Sequence, residues 1–223
     1  MAALAFFLIG LPLALIANRV VVQLTDFEET QDEDDATSSR RLPWHRGLWP
    51  QRVRWSVLAL LPACMAIAAS RFDLPQAAIV SVLMAALLIC TATDLLRFRV
   101  PNVITYPAII LALVASLVMP DADLAGAIGA ALLIGSLFFV MALVTGGGMG
   151  IGDAKLVMLI GAMLGLPEAW QALVIGVLSA GLVILPFFLL GRMGRRDPLP
   201  YAPFLALAAV AVGLAQGTAF APL

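Results

Sequence analysis

The sequence is poor in the residues on which most soluble enzymes rely. Histidine occurs once and cysteine twice in 223 residues, and only 12% of the chain is charged. The single histidine, His45, stands between Trp44 and Arg46 in a polar stretch. No second His or Cys is near it, so it reads as a solvated loop residue and no metal site is expected. Cys64 and Cys90 both fall inside apolar runs and make no Cys-x-x-Cys. That argues against a disulfide framework and against structural zinc. No Gly-x-Gly-x-x-Gly register fits Gly146 to Gly152, and Lys155 has no Gly-Lys-Ser/Thr context, so no nucleotide cofactor is expected. The formal net charge of -1 gives no footing for a nucleic-acid partner.

What the chain has in quantity is apolar surface. It is 62% hydrophobic, with a mean hydropathy of +1.03. Soluble domains are roughly half apolar and about a quarter charged. The expectation is an all-α, polytopic membrane protein in contact with a lipid bilayer. A first apolar run, Met1 to Leu24, has neither a basic leader nor a small-residue cleavage site, and reads as a retained helix. Seven further runs follow: Trp55–Ser70, Leu74–Leu96, Val103–Met119, Leu124–Thr145, Ala154–Leu166, Ala169–Leu190 and Tyr201–Gly217. Turn chemistry breaks them, including Pro101-Asn102, Pro120-Asp121 and Leu166-Pro167-Glu168. Ala154–Leu166 is short for a span and could begin inside the glycines before it. About eight transmembrane helices are therefore expected, in three parts: a first span over 1–24, a polar loop over 25–54, and a seven-helix unit over 55–223.

The loop 25–54 opens acidic, from Asp26 to Asp35, and turns basic from Arg40 to Arg54. Its acidic half has the composition of a solvated, disordered loop. Trp44, Trp49 and Trp55 suit a membrane-surface belt. With eight alternating spans, loops 25–54, 97–102, 146–153 and 191–200 share one side. They and the adjoining span ends hold Arg40, Arg41, Arg46, Arg52, Arg54, Arg97, Arg99, Lys155, Arg192, Arg195 and Arg196, whereas the opposite loops hold only Arg71. The positive-inside rule puts the basic loops in the cytoplasm and both termini outside.

Two acids stand out under that topology. Of the 14 Asp and Glu, only Asp94 and Asp153 abut apolar helix on the cytoplasmic side. An acid at the edge of a span is costly, and by default it signals function. Two carboxylates brought together there cannot both ionise cheaply and would titrate as one unit. The ionised member could take a proton from water while the protonated member polarises a carbonyl. Three readings stay open on the residues alone: catalysis, proton or ion translocation, and helix capping. Asp153 is well placed to cap a helix starting at Ala154. Asp94, near a helix C-terminus, opposes the dipole, and capping explains it poorly. The glycines Gly146 to Gly152 are either a hinge or a place where a substrate backbone can lie beside Asp153.

The stretch Asp94-Leu-Leu-Arg-Phe-Arg-Val-Pro-Asn-Val-Ile-Thr-Tyr-Pro107 resembles the first signature of the type IV prepilin peptidases. Gly148-Met-Gly-Ile-Gly-Asp-Ala-Lys-Leu156 resembles their Gly-x-Gly-Asp-x-Lys-Leu block. Pro200-Tyr-Ala-Pro-Phe-Leu205 is similar to a third element, with Tyr201 where that element has Phe. The resemblance implies an aspartyl endopeptidase of the cell (inner) membrane, working at the cytoplasmic face on type IV prepilin or pseudopilin precursors. It implies Asp94 and Asp153 as the catalytic pair. Gly148, Gly150, Gly152, Lys155, Pro101 and Asn102 would then bind substrate or shape the site. Members with a second, N-methyltransferase activity often carry two Cys-x-x-Cys pairs in the first cytoplasmic loop. Here that loop is short and has no cysteine, which points to a peptidase without zinc or methyl transfer. The rival reading is a proton-coupled transporter using the same carboxylates. It expects inverted repeats and mid-membrane acids, and neither is evident.

Overall fold

The computed structural model describes residues 1–32, 49–119, 122–144, 150–190 and 200–216. Among these residues lie nine helices: α1 (Ala2–Asp32), α2 (Trp49–Leu58), α3 (Leu60–Arg71), α4 (Leu74–Arg97), α5 (Asn102–Val118), α6 (Leu124–Val144), α7 (Ile151–Leu164), α8 (Leu166–Leu189) and α9 (Ala202–Gln216). The protein is an all-α, polytopic membrane protein. Among the described residues four helices, within Ala2–Leu24, Leu74–Arg97, Leu124–Val144 and Leu166–Pro186, are long and apolar enough to cross a bilayer.

Most helix bounds follow the apolar runs to within a few residues. Four differ. α8 starts at Leu166, inside the turn expected over 166–168, because proline is tolerated in the first turn of a helix. α1 continues past Leu24 to Asp32, into the stretch expected as loop. Glu and Gln there are good helix formers, so the helix outlasts its apolar portion. The rest of the acidic run, from Glu33, and the basic residues as far as Arg46 lie outside the described residues. The run expected over Trp55–Ser70 is divided into α2 and α3 at Ala59. Pro62 follows three residues later, and its ring removes the N–H that would bond back to Leu58 and crowds that carbonyl. α7 begins at Ile151, three residues before the apolar run. It ends at Gly165, whose φ of 77° a side chain would resist.

α4 and α7 form the centre. α4 packs against α1, α2, α3, α5 and α9, while α7 packs against α5, α6, α8 and α9. Between helices in lipid there is little hydrophobic driving force, so close van der Waals fit does the work. The α6–α7 contact shows this: a β-carbon at Gly161 would stand 2.8 Å from the Ala131 backbone nitrogen. At 14 residues α7 is about 21 Å long, less than a hydrocarbon core. Its burial on nearly every side means that it need not meet lipid at either end. Ile151 of its first turn is exposed, while Asp153 and Ala154 are buried near the end of α4.

Candidate active site

The site is assembled from the end of one helix and the beginnings of three. α4 ends at Arg97, one turn past Asp94. Phe98 then takes the left-handed conformation (φ 55°, ψ 35°), and its N–H bonds the Asp94 carbonyl at 2.8 Å. Glycine usually fills such a position, because a β-carbon there costs about 1 kcal/mol. The turn sends the chain through Val100 and Pro101 straight into α5. The carbonyl of Pro101 accepts from the N–H groups of Ile104 (3.2 Å) and Thr105 (3.1 Å) and from the Thr105 hydroxyl (2.8 Å). Pro101 thus serves as the N-cap of α5, and Asn102 is that helix's first residue.

Asp94 and Asp153 are both only 4% exposed. They lie within mutual electrostatic reach, although 59 positions separate them in the chain. Each carboxylate accepts a backbone N–H at a helix start. The Asp94 Oδ2 accepts from Ala202 N at 3.2 Å, at the first residue of α9. The Asp153 Oδ2 accepts from Gly150 N at 3.3 Å, and the Asp153 N–H returns a bond to the Gly150 carbonyl at 3.0 Å. Gly150 is therefore the N-cap of α7, and Asp153 sits in the third position rather than capping Ala154. Capping occupies one of its oxygens and leaves the other for chemistry. The positive end of α9 faces Asp94, which offsets the poor placement of that acid at the end of its own helix.

The remaining expected residues surround this pair. Gly152 abuts the first block: a β-carbon there would stand 3.1 Å from Val100 Cβ. Lys155 turns to α5, where its Nζ donates to Asn102 Oδ1 at 2.7 Å and lies 5.4 Å from the centre of the Tyr106 ring. Gly148 lies outside the described residues. No group of three His, Cys, Asp or Glu side chains able to hold a metal occurs among the described residues.

The sequence placed an apolar run from Tyr201 and set Pro200 to Leu205 beside a third family element, but it gave the start of α9 no part in the site. Tyr201 caps that helix through its carbonyl, which accepts from Phe204 N and Leu205 N. Its phenol is within electrostatic reach of Asp153, while its neighbour Ala202 binds Asp94. The available signal was the third element itself, Pro200-Tyr-Ala-Pro-Phe-Leu205. A backbone N–H, however, leaves no mark in a residue pattern.

The fold and the paired buried acids define a membrane protein with a dicarboxyl site inside its helix bundle. The sequence profile of the type IV leader peptidase family matches residues 81–214, and the chain belongs to that family. A prepilin leader peptidase/N-methyltransferase of Bacillus subtilis is 37% identical over 155 residues, which cover 68% of this chain and 62% of that protein. The protein of the same name from Aeromonas hydrophila is 31% identical over 170 residues, covering 71% of this chain and 57% of its own. One from Pseudomonas aeruginosa is 37% identical over 117 residues, covering 48% and 39%. The chain thus spans less than two thirds of the curated relatives it matches. No solved structure matches it significantly.

Proposed function

We propose that this chain is a membrane-embedded aspartyl endopeptidase that removes the leader from type IV prepilin or pseudopilin precursors. The observation that carries the reading is the meeting of Asp94 and Asp153, both buried, at adjoining ends of α4 and α7. Family membership supports the substrate class. In this reading one carboxylate takes a proton from water, whose oxygen attacks the scissile carbonyl carbon. The other carboxyl gives its proton to the carbonyl oxygen. Collapse of the tetrahedral species breaks the C–N bond, and the amine leaves with the proton first taken from water. The two backbone N–H bonds hold the pair in place, so little reorganisation is needed as charge moves.

The reading includes about eight spans in the inner membrane, with the acids at the cytoplasmic face and both termini outside. The distribution of Arg and Lys supports that sidedness. Residues 55–223 form the peptidase unit, next to a first span over 1–24 and a loop over 25–54. Gly148, Gly150, Gly152, Lys155, Pro101 and Asn102 bind substrate or shape the site, and the bilayer holds the substrate's apolar helix. No cofactor and no nucleic acid take part. The absence of cysteine from 25–54 supports peptidase activity without N-methylation.

The test is co-expression of a matching prepilin with the parent protein, Asp94→Asn or Asp153→Asn, following leader removal on a gel. Loss of processing in both variants is expected, and full processing by either overturns the assignment. The mass of the mature pilin checks the second point: a one-methyl increment that depends on this protein would refute a peptidase-only role.

A further inference from the structure

Lys155 is electrostatically out of place. It lies in the opening turns of α7 and reaches the first residue of α5, so its cation faces the positive ends of two helices. Dipole energetics favour the opposite sign at both. It also does not face Asp153. Residues two apart on a helix are about 200° apart around its axis, so the two side chains leave α7 in different directions. Asp153 turns to the Gly150 N–H, while Lys155 turns to α5.

On α5 the ammonium meets two groups one helical turn apart. Asn102 Oδ1 accepts at 2.7 Å, and the Tyr106 ring centre lies 5.4 Å away. Positions i and i+4 share a face, so the amide and the ring form one receiving surface. One residue before Asp153, Gly152 is fitted against Val100, just ahead of α5. α7 is thus gripped on both sides of Asp153, by contact at Gly152 and by a polar tie at Lys155. Both grips join it to the segment that leaves α4 four residues after Asp94.

We infer that Lys155 is a positioning residue. With Asn102 and the Tyr106 face it forms a latch that locks the start of α7 to the start of α5 and so sets Asp153 against Asp94. The latch rests on the reading of Asp94 and Asp153 as the reacting pair. It assigns Lys155 and Asn102 to shaping the site rather than to holding substrate. The ammonium already has an acceptor and an aromatic face, and an exposed amide–ammonium contact adds little to global stability. Its consequence is geometric, and small misplacements of a reacting group are costly.

The test is a double-mutant cycle on the full-length protein in membranes, with a prepilin-type substrate. The variants are Lys155→Met, Asn102→Leu and the pair, each normalised to the protein present in the membrane. A latch predicts that each single change lowers kcat roughly tenfold with KM nearly unchanged, and that the double variant is no worse than the poorer single. Asn102→Asp keeps an acceptor oxygen of the same reach and is expected to retain kcat within about threefold, a rescue that also covers loss of folding in the leucine variant. Multiplicative losses, a KM rise with kcat intact, or full activity of Lys155→Met each overturn the latch. Activity that survives Asp94→Asn or Asp153→Asn would instead overturn the underlying peptidase reading, so the two failures are distinguishable.

Discussion

α4 and α8 are the same length, 24 residues each, and both are apolar enough to cross a membrane. Their fates differ. The apolar window of α4 is 72% buried against protein, and that of α8 is 28% buried. Leu83, Met84, Leu87 and Leu88 of α4 are sealed in the core, whereas Leu178 and Leu182 of α8 are 67% and 77% exposed. Hydropathy cannot separate the two, because lipid is as apolar as a protein interior. The separating signal is polar. α4 buries Ser81, Thr91, Thr93 and Asp94. The three hydroxyls return hydrogen bonds to carbonyls of their own helix, at 2.6 Å for Ser81, 2.9 Å for Thr91, and 3.0 and 3.1 Å for Thr93. A helix that carries such groups does best when turned away from hydrocarbon, with every donor satisfied.

The sharpest way to separate the two helices is to neutralise their acids. Asp94→Asn is expected to lower leader cleavage about 10³-fold with the protein still inserted, read by a gel-shift of the substrate. Glu168, near the start of α8, is also buried, and its Oε2 has no hydrogen-bond partner. It is remote from the pair in the expected topology, and Glu168→Gln is expected to leave cleavage unchanged. Equal losses in both variants would erase the distinction.

Packing provides the next contrast. Leu87→Ala on α4 should destabilise the protein by about 2–5 kcal/mol, through lost contacts and a residual cavity. Leu178→Ala on α8 should stay within about 0.5 kcal/mol. Thermal unfolding in one detergent measures both, and a large cost at Leu178 would show that α8 has a partner on that face. A smaller effect is expected from the glycines. Gly161→Ala places a β-carbon 2.9 Å from the Ala130 carbonyl oxygen, so the α6–α7 contact must open, at about 1–3 kcal/mol. At Gly181 of α8 a β-carbon meets nothing within 4 Å. Gly181→Ala should be neutral or slightly stabilising, through helix propensity.

Much of this architecture was legible in the residue pattern. Helix ends could be placed to within a few positions because prolines and charges interrupt long apolar runs at Asp73, Pro101 and Asp123. The acids could be paired in advance because only two carboxylates border apolar helix on the basic side. Several features were not legible. The break at Ala59 depends on where one proline falls inside an apolar run. The neighbour of Asp94 is a main-chain N–H on α9, 108 positions away, and an alanine announces nothing about its amide. The partner of Lys155 is likewise 53 positions distant.

The long apolar runs determined that this chain forms a bundle of membrane helices, because a backbone in lipid must satisfy its own hydrogen bonds and a run of about 20 apolar residues does so as a helix. Their order along the chain also set Asp94 and Asp153 at the edges of apolar helices. Tertiary packing alone decided which apolar helices became core and which became surface. It decided, too, that the first residue of α9 would donate its N–H to Asp94. The reason is physical: apolar side chains gain nearly the same from lipid as from protein, so orientation was left to small residues, close fit and a few buried polar groups.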